Sequence, residues 1–434
     1  MPRTEPRTAP NAIKPPTCVE EIELFAPGAQ EHWYEAYPLL HAHAPVLRLP
    51  GEGAAPGADG LILSSHADIL RVVRDPERFP PFLTQKPKPL PDGAMPRLNP
   101  MMASIQTLRP TEDLWRAHKA ELTDPWVGSG AMRHTEMITR TANALIDAWI
   151  DAGEVDFVAD FARVLPQRVM ASVLGFPHED IPQLEQWGAA QVMAYVHGQG
   201  HRNVLTPEQS KEQMRILAGF GDYVAEKVRE KRKAPRDDMI SWLTKMRYPA
   251  LDRTLTDLEI NGIVYAMVIG GLETTQYALA EQAQLFCEDA DLYTAVRADR
   301  SLIRPFVEEA LRLRSPTQGL STRTTTQDET FQGIAVPAGS ILHLRWAAAN
   351  RDPKEFENPD QIDLTRKNLT RHLAFSQGSR GCPGSGLSRL EQNIAWSVLM
   401  DRIESLAYGD GNTFAHQPGI MLGLYALKLR FKAA

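Results

Sequence analysis

One cysteine constrains this chain more than any other feature. Cys382 lies in the stretch Phe375-Ser376-Gln377-Gly378-Ser379-Arg380-Gly381-Cys382-Pro383-Gly384-Ser385-Gly386-Leu387-Ser388-Arg389-Leu390-Glu391, where glycines crowd a single thiol and a helix-forming run begins directly after it. A cysteine is a strong metal ligand only as the thiolate, and a helix N-terminus together with a nearby cation such as Arg380 favours that form. Gly378, Gly381 and Gly384 place no Cβ atoms in the way, so the backbone can approach a flat cofactor and turn its N–H groups towards the sulfur. The stretch reads as a loop beneath a haem.

A second stretch, Thr256 to about Cys287, predicts one long helix. Thr256-Asp-Leu-Glu259 matches a capping box. Ile260, Ile263, Val264, Met267 and Val268 follow at helical spacing, which buries one face. At ~1.5 Å per residue this helix would cross roughly 45 Å. In its middle stand Gly270-Gly271-Leu272-Glu273-Thr274-Thr275. Each glycine inside a helix costs about 1 kcal/mol relative to alanine, so something must require the pair. A flat ligand pressed on the helix would do so, and so would tight helix-to-helix packing. The segment alone leaves both open.

The Cys382 stretch resembles the haem-binding motif of the cytochrome P450 family, Phe-x-x-Gly-x-(His/Arg)-x-Cys-x-Gly, with every specified position filled. Leu387-Ser388-Arg389-Leu390-Glu391 resembles its downstream Leu-Ala-Arg-x-Glu. Ser376 stands where the family carries a second glycine, and Pro383 where an aliphatic residue is common. Proline there is compatible with a first helical turn. Gly270 to Thr275 is similar to the family's (Ala/Gly)-Gly-x-(Asp/Glu)-Thr-(Thr/Ser). Glu308-Glu309-Ala310-Leu311-Arg312 resembles its Glu-x-x-Arg, with Glu309 and Arg312 as a structural pair. Read alone, that pair would be an exposed one worth about 0 to 1 kcal/mol. Ala349-Asn-Arg-Asp-Pro353, Phe356 and Asn358-Pro-Asp360 resemble the bacterial lead into the cysteine loop. Gln361 occupies the place where an arginine or histidine completes that network, which leaves the third partner open.

This resemblance covers nearly the whole chain beyond residue 20. It implies a mostly α fold with small β-sheets (α+β), in which haem b sits between a long distal helix and the proximal cysteine loop. Cys382 is then the axial ligand of the iron. Phe375, Gly378, Gly384, Gly270 and Gly271 are the implied contacts of the haem. Its propionates, as buried carboxylates, need cations or N–H donors, and Arg323, His372 and Arg380 are the implied ones. The family adds a donor from an early helix, often as His-x-x-x-Arg. Here the chain reads Trp115-Arg-Ala-His118-Lys119, which puts Lys119 at the arginine position with His118 and Arg116 as rivals.

The implied catalytic residues are Thr274 and Glu273. O–O cleavage needs two protons, which a hydroxyl beside an exchangeable carboxyl can supply while the thiolate donates electron density from the opposite face. The implied activity is O2-dependent monooxygenation of a small to medium hydrophobic molecule by hydroxylation, epoxidation or oxidative dealkylation. Its pocket is expected to draw on Ala266, Ile269, Gly270, Gly319, Leu320 and Ile420 to Leu422 with Met421 between, on the 80 to 110 loop, and on Trp187 to Val204. Nothing in the sequence binds a flavin or nicotinamide recognisably, so electrons are expected from a ferredoxin and its reductase. Arg116, Lys119, Arg371 and Arg389 are candidate contacts for that donor. Two competing readings are a peroxide-driven haem-thiolate peroxygenase, which would not need Glu273 and Thr274, and a haem-based sensor or electron carrier, which would need neither relay nor pocket.

Composition sets the outer bounds. With 434 residues, 43% hydrophobic and 23% charged, the chain is ordinary for a globular protein. A single catalytic domain over 21–434 is expected behind a flexible Pro-rich tail at 1–20. Cys18, Cys287 and Cys382 are too few and too scattered for a disulfide framework or a cysteine zinc site. The longest apolar run, Gly262 to Leu272, is too short to cross a bilayer, and no signal peptide is visible. A monomer located in the cytoplasm without a membrane anchor is therefore expected. A net charge of -7 gives no reason to expect nucleic-acid binding. Strands are predicted at Pro45 to Leu49 and Leu61 to Ser64. Helices are predicted at Ala67 to Val73, Leu114 to Leu122, Met137 to Ala152, Leu165 to Leu174, Ile181 to Val196 and Pro207 to Lys233. Phe79 to Pro110 lacks periodicity and is expected to be a functional loop. Lys227 to Arg236 reads as a solvated helix end.

Overall fold

The computed structural model describes residues 14–26, 28–81, 100–196, 205–319 and 322–434. In chain order its helices are α1 (Trp33–His43), α2 (His66–Arg74), α3 (Pro100–Leu108), α4 (Glu112–His118), α5 (Asp124–Val127), α6 (Thr135–Asp147), α7 (Val164–Leu174), α8 (Ile181–Val196), α9 (Pro207–Lys233), α10 (Met239–Lys245), α11 (Asp257–Gly271), α12 (Thr274–Glu288), α13 (Ala290–Ala298), α14 (Ile303–Leu313), α15 (Trp346–Ala349) and α16 (Ser385–Arg402). The strands are β1 (Val46–Leu49), β2 (Gly60–Leu63), β3 (Glu154–Asp156), β4 (Arg247–Tyr248), β5 (Arg253–Thr254), β6 (Thr322–Thr324), β7 (Glu329–Phe331), β8 (Ile334–Val336), β9 (Ile341–Leu344), β10 (Ile403–Tyr408) and β11 (Lys428–Ala433). They form small sheets in the orders β1-β2-β9-β6 and β10-β11-β3, with β4-β5 and β7-β8 as separate pairs.

Local chemistry accounts for the main boundaries. Thr256 and Glu259 form a reciprocal capping box that starts α11, and Thr206 with Gln209 does the same for α9. β2 lies between antiparallel β1 and parallel β9 and is buried at every position, which is why Leu61-Ile62-Leu63 is a continuous apolar run.

Three expectations change. The stretch expected to be a loop contains α3, packed on α11; its sequence is apolar on most sides and carries no polar face for periodicity to reveal. The long distal helix is broken between Gly271 and Thr274. There the Thr274 hydroxyl donates to the Gly270 carbonyl at 2.7 Å, replacing a main-chain partner. The basic run at the end of α9 is not simply solvated. Lys231 is buried against Asp238, and Arg232 bonds Asp257 and the carbonyls of Thr244 and Leu255.

Beneath the cysteine loop, Glu309 and Arg312 form a bidentate pair at 2.7 and 2.9 Å, both fully buried rather than exposed. Arg312 also donates to the carbonyls of Asn350, Pro359 and Gln361. The third partner is Arg366, whose Nε reaches Glu309 Oε1 at 3.1 Å. Gln361 contributes main-chain carbonyl oxygen alone to this group. Removing one member of a buried ion group costs about 3–5 kcal/mol, because the others keep their desolvation penalty. Arg366→Ala should therefore destabilise the protein by about 3 kcal/mol in urea unfolding, whereas Gln361→Ala should change it by about 0.5 kcal/mol or less.

Candidate active site

The cysteine loop is shaped by two residues in the left-handed region. Gly378 has φ +76°, and a Cβ on it would lie 2.7 Å from the Val73 carbonyl oxygen, so both conformation and space demand glycine. Ser376 has φ +55°, and its buried hydroxyl has no partner among the described residues. That conformation gives a physical reason for a glycine preference at this position. Cys382 N donates to the Phe375 carbonyl at 2.8 Å, closing the loop on itself. α16 starts at Ser385 and docks closely on the turn at Gly128. A Cβ on Gly386 would come within 2.0 Å of the Gly128 oxygen.

The Cys382 thiol faces a cavity of about 310 Å³. Burial pushes the thiol up, while the N–H groups of Gly384 and Ser385 and the charges of Lys119 and Arg389 pull it down; burial wins. The cavity is otherwise mainly apolar, with Val127, Met170, Leu311, Phe375 and Leu387 on its walls. Ala266, Gly270, Gly271 and Thr274 line the same cavity as Cys382. The two glycines differ in what they serve. A Cβ on Gly270 would meet nothing within 4 Å, whereas one on Gly271 would meet the Met170 side chain at 2.2 Å. One faces open space and the other faces a neighbouring helix.

Glu273 does not line the cavity; its Oε2 accepts from the Tyr277 hydroxyl at 2.9 Å. Burial raises its pKa, and Tyr277 lowers it in part. Ile269, Gly319 and Met421 also lie off the cavity wall. Met421 is instead buried with Tyr277 and Ile420. Trp187 packs in the core against Phe220 and Tyr223, where its large apolar ring is covered. Leu320, residues 82–99 of the expected pocket loop and residues 197–204 lie outside the described residues.

A second cavity of about 200 Å³ shares Ala266, Met267, Arg380 and Pro383 with the first and is lined by Arg109, Trp115, His118 and Lys119. Its electrostatics are lopsided. Arg109 on its wall, and Arg323, which lines neither cavity but feels the charge of Arg380, are buried, have no carboxylate partner among the described residues, and are pulled down to about 10 by burial and by that charge. Arg380 pairs with Glu112, yet its Nε has no partner. His118 is buried with Nε2 unpartnered, and burial pulls it well below its usual value. Lys119 donates to the Gly381 carbonyl at 3.2 Å.

His372 departs from expectation. Its Nε2 bonds Glu308 at 2.9 Å and its Nδ1 accepts from Ala374 N, so neither ring nitrogen is left to donate to a propionate. The reason is Glu308, a buried carboxylate that needs both His372 and Arg389. Arg109 takes a place at this edge that sequence reasoning did not assign; a lone arginine between Leu108 and Pro110 carries no motif. Glu391 was visible only as part of a motif. It lines the main cavity, is fully buried, and is held well above the usual carboxyl range by desolvation.

These groups fit a haem. A thiol and glycine line one mainly apolar space, and buried arginines without a carboxylate partner among the described residues gather near Arg380, where two carboxylates would compensate them. Within the loop itself, Ser376→Gly should remove left-handed strain and an orphaned hydroxyl. It should raise stability by about 1 kcal/mol in thermal unfolding of the haem-loaded protein.

Comparison with known proteins agrees. The cytochrome P450 family pattern matches residues 202–422. The chain is 33% identical over 288 residues to cytochrome P450 105C1 of a Streptomyces species, covering 64% of this chain and 70% of that protein. It is 32% identical over 304 residues to the cyclomarin C epoxidase CymV of Salinispora arenicola, covering 70% and 74%. The crystal structure of P450BioI, bound to an acyl carrier protein carrying hexadec-9Z-enoic acid, superposes with a TM-score of 0.78 at 26% identity, covering 93% of this chain and 99% of that one. The chain belongs to the cytochrome P450 family of haem b monooxygenases.

Proposed function

We propose that Cys382 holds the haem iron as thiolate, that Thr274 and Glu273 supply protons on the opposite side, and that the substrate is a small to medium hydrophobic molecule. The observation that carries this reading is that Cys382 and the helix break at Gly270–Thr274 line one apolar cavity. The bound haem supplies O2 activation and oxygen transfer. Arg109, Arg323, Arg380 and His118 would hold its carboxylates, and Phe375, Gly378 and Gly384 give the loop its close backbone approach. Thr274 can release the Gly270 carbonyl and offer its hydroxyl to the cavity, since a hydroxyl both donates and accepts. Burial leaves the Glu273 carboxyl able to hold a proton closer to neutral pH than a solvated one would. The largely apolar walls favour a hydrophobic substrate and keep bulk water from the reacting centre.

Electrons are proposed to come from a ferredoxin-type protein docking on the cysteine side. Arg74, Arg116 and Lys119 line an open groove there together with Gly378 and Ser379. Of the four basic contacts expected, Arg389 is held by the buried Glu308, Arg371 pairs with Glu355 and Arg116 with the exposed Asp113, and Arg116 is 65% exposed. The Arg116 side of the groove is the more available to an acidic partner.

The reduced, haem-loaded protein with carbon monoxide should show a strongly red-shifted absorption band, and Cys382→Ser should abolish it. A screen of hydrophobic compounds for ferric spin-state shifts then identifies substrates. With such a compound and a ferredoxin–reductase pair, Thr274→Ala should lower product per electron by at least about tenfold, the scale of losing a positioned proton donor. Full turnover with peroxide that is insensitive to Thr274→Ala would instead identify a peroxygenase. Absence of any substrate shift or product would point to a carrier or sensor.

A further inference from the structure

The distal helix and the C-terminal segment meet at Tyr277. Its ring is 4% exposed and packs with Ile420 and Met421. It fits because residue 423 is glycine, where a Cβ would lie 2.5 Å from the ring. The Tyr277 hydroxyl donates to Glu273 Oε2 at 2.9 Å and accepts from Gln417 Nε2 at 2.5 Å. Gln417 stands on the same segment as Ile420, Met421 and Leu422, and that segment is tied to the wall of the main cavity. Gln318 N donates to the Ile420 carbonyl at 2.9 Å, Leu422 N to the Pro316 carbonyl at 2.7 Å, and the Thr317 hydroxyl to Met421 Sδ at 3.6 Å. Pro316 and Thr317 line the cavity itself.

The carboxyl has little else to hold it. Among the described residues no cation lies within ion-pair distance of Glu273. The other charged group it feels is Glu185 on α8, which raises its pKa further and is itself held by Arg163 and Gln167. Tyr277 also feels Tyr425 on the C-terminal segment. Burial and the neighbouring carboxyl push the Tyr277 phenol far above its usual range, so it serves as a fixed donor and not as a proton carrier.

We propose that Tyr277 is a positioning residue which, anchored by Gln417, holds the Glu273 carboxyl turned away from Thr274. Proton supply then depends on how the 417–422 segment is seated behind Pro316 and Thr317, which line the substrate cavity. The proposal rests on Glu273 and Thr274 supplying protons, as proposed above. While Oε2 accepts from Tyr277 one turn along the helix, that oxygen is not available to Thr274. The segment that sets its partner is bonded to Pro316 and Thr317, the residues a substrate in the cavity would press upon.

The test uses haem-loaded Tyr277→Phe, Gln417→Ala, Glu273→Gln and the Tyr277→Phe/Glu273→Gln double variant, each checked for an intact carbon monoxide band. The Glu273 carboxyl is titrated by infrared difference against Glu273→Gln. Losing the phenol donor should raise its proton affinity by about twofold to tenfold in Tyr277→Phe, the scale of one hydrogen bond, and by less in Gln417→Ala. Electron consumption without substrate, supported by a plant-type ferredoxin and its reductase, should rise by a similar factor in both, since the carboxyl is released. The double variant should behave as Glu273→Gln alone, which a merely structural loss would not produce. Unchanged titration and consumption in Tyr277→Phe and Gln417→Ala, with Glu273→Gln slowed, overturns the positioning role and leaves the proton role standing. A silent Glu273→Gln overturns both.

Discussion

Two adjacent glutamates on α14, each buried and each neutralised twice, hold the region on which the site depends. Glu309 is met by Arg312 and Arg366, and Glu308 by His372 and Arg389. For Glu308, burial pushes the carboxyl up, but the hydrogen bonds of His372 and Arg389 and the charge of Arg389 overcome this and hold it at about 2. The geometry is demanding because each buried charge is tolerable only while its partners stay in place. Arg312 is on α14 itself, and the other three partners lie on the chain leading into the cysteine loop and on the helix leaving it. Arg366 and His372 precede Cys382, and Arg389 follows it on α16, where its guanidinium also covers the Phe375 ring at 4.4 Å. The loop is therefore clamped from both ends to one helix, and the position of the sulfur is set by charge compensation as well as by glycine conformation.

That clamp also explains where sequence reading succeeds and where it stops. Cys382, Gly378 and Gly384 were legible because the chemistry they serve is local: a turn, a helix start and a thiol within ten residues. The ranges of α8 and α9 were legible from caps and periodicity. His372 was assigned outward to a propionate because its partner, Glu308, is 64 residues away and nothing local announces it. The third partner of Glu309, left open in the sequence because Gln361 stands at the usual place, is Arg366, because a buried carboxylate selects a guanidinium that can reach it and spacing along an irregular segment does not fix that reach. Arg109 was missed for a related reason. Its significance lies in having no carboxylate partner among the described residues, and a missing partner leaves no trace in sequence. The helix break between Gly271 and Thr274 was half legible: the glycines signalled a demand, but only the fold separates Gly270, facing the cavity, from Gly271, facing Met170.

The protein's own electrostatics describe the group it takes. In the first cavity burial pushes the thiol towards its neutral form against the charges of Lys119 and Arg389; near the second, Arg109 and Arg323 are pulled down from their usual values by burial and by Arg380. Both shifts have burial in a low-dielectric space as their leading cause. A group that reverses both at once must bring positive charge to the sulfur and negative charge to the arginines, and must be flat enough to lie against Gly270. An iron porphyrin with two carboxylates has that distribution.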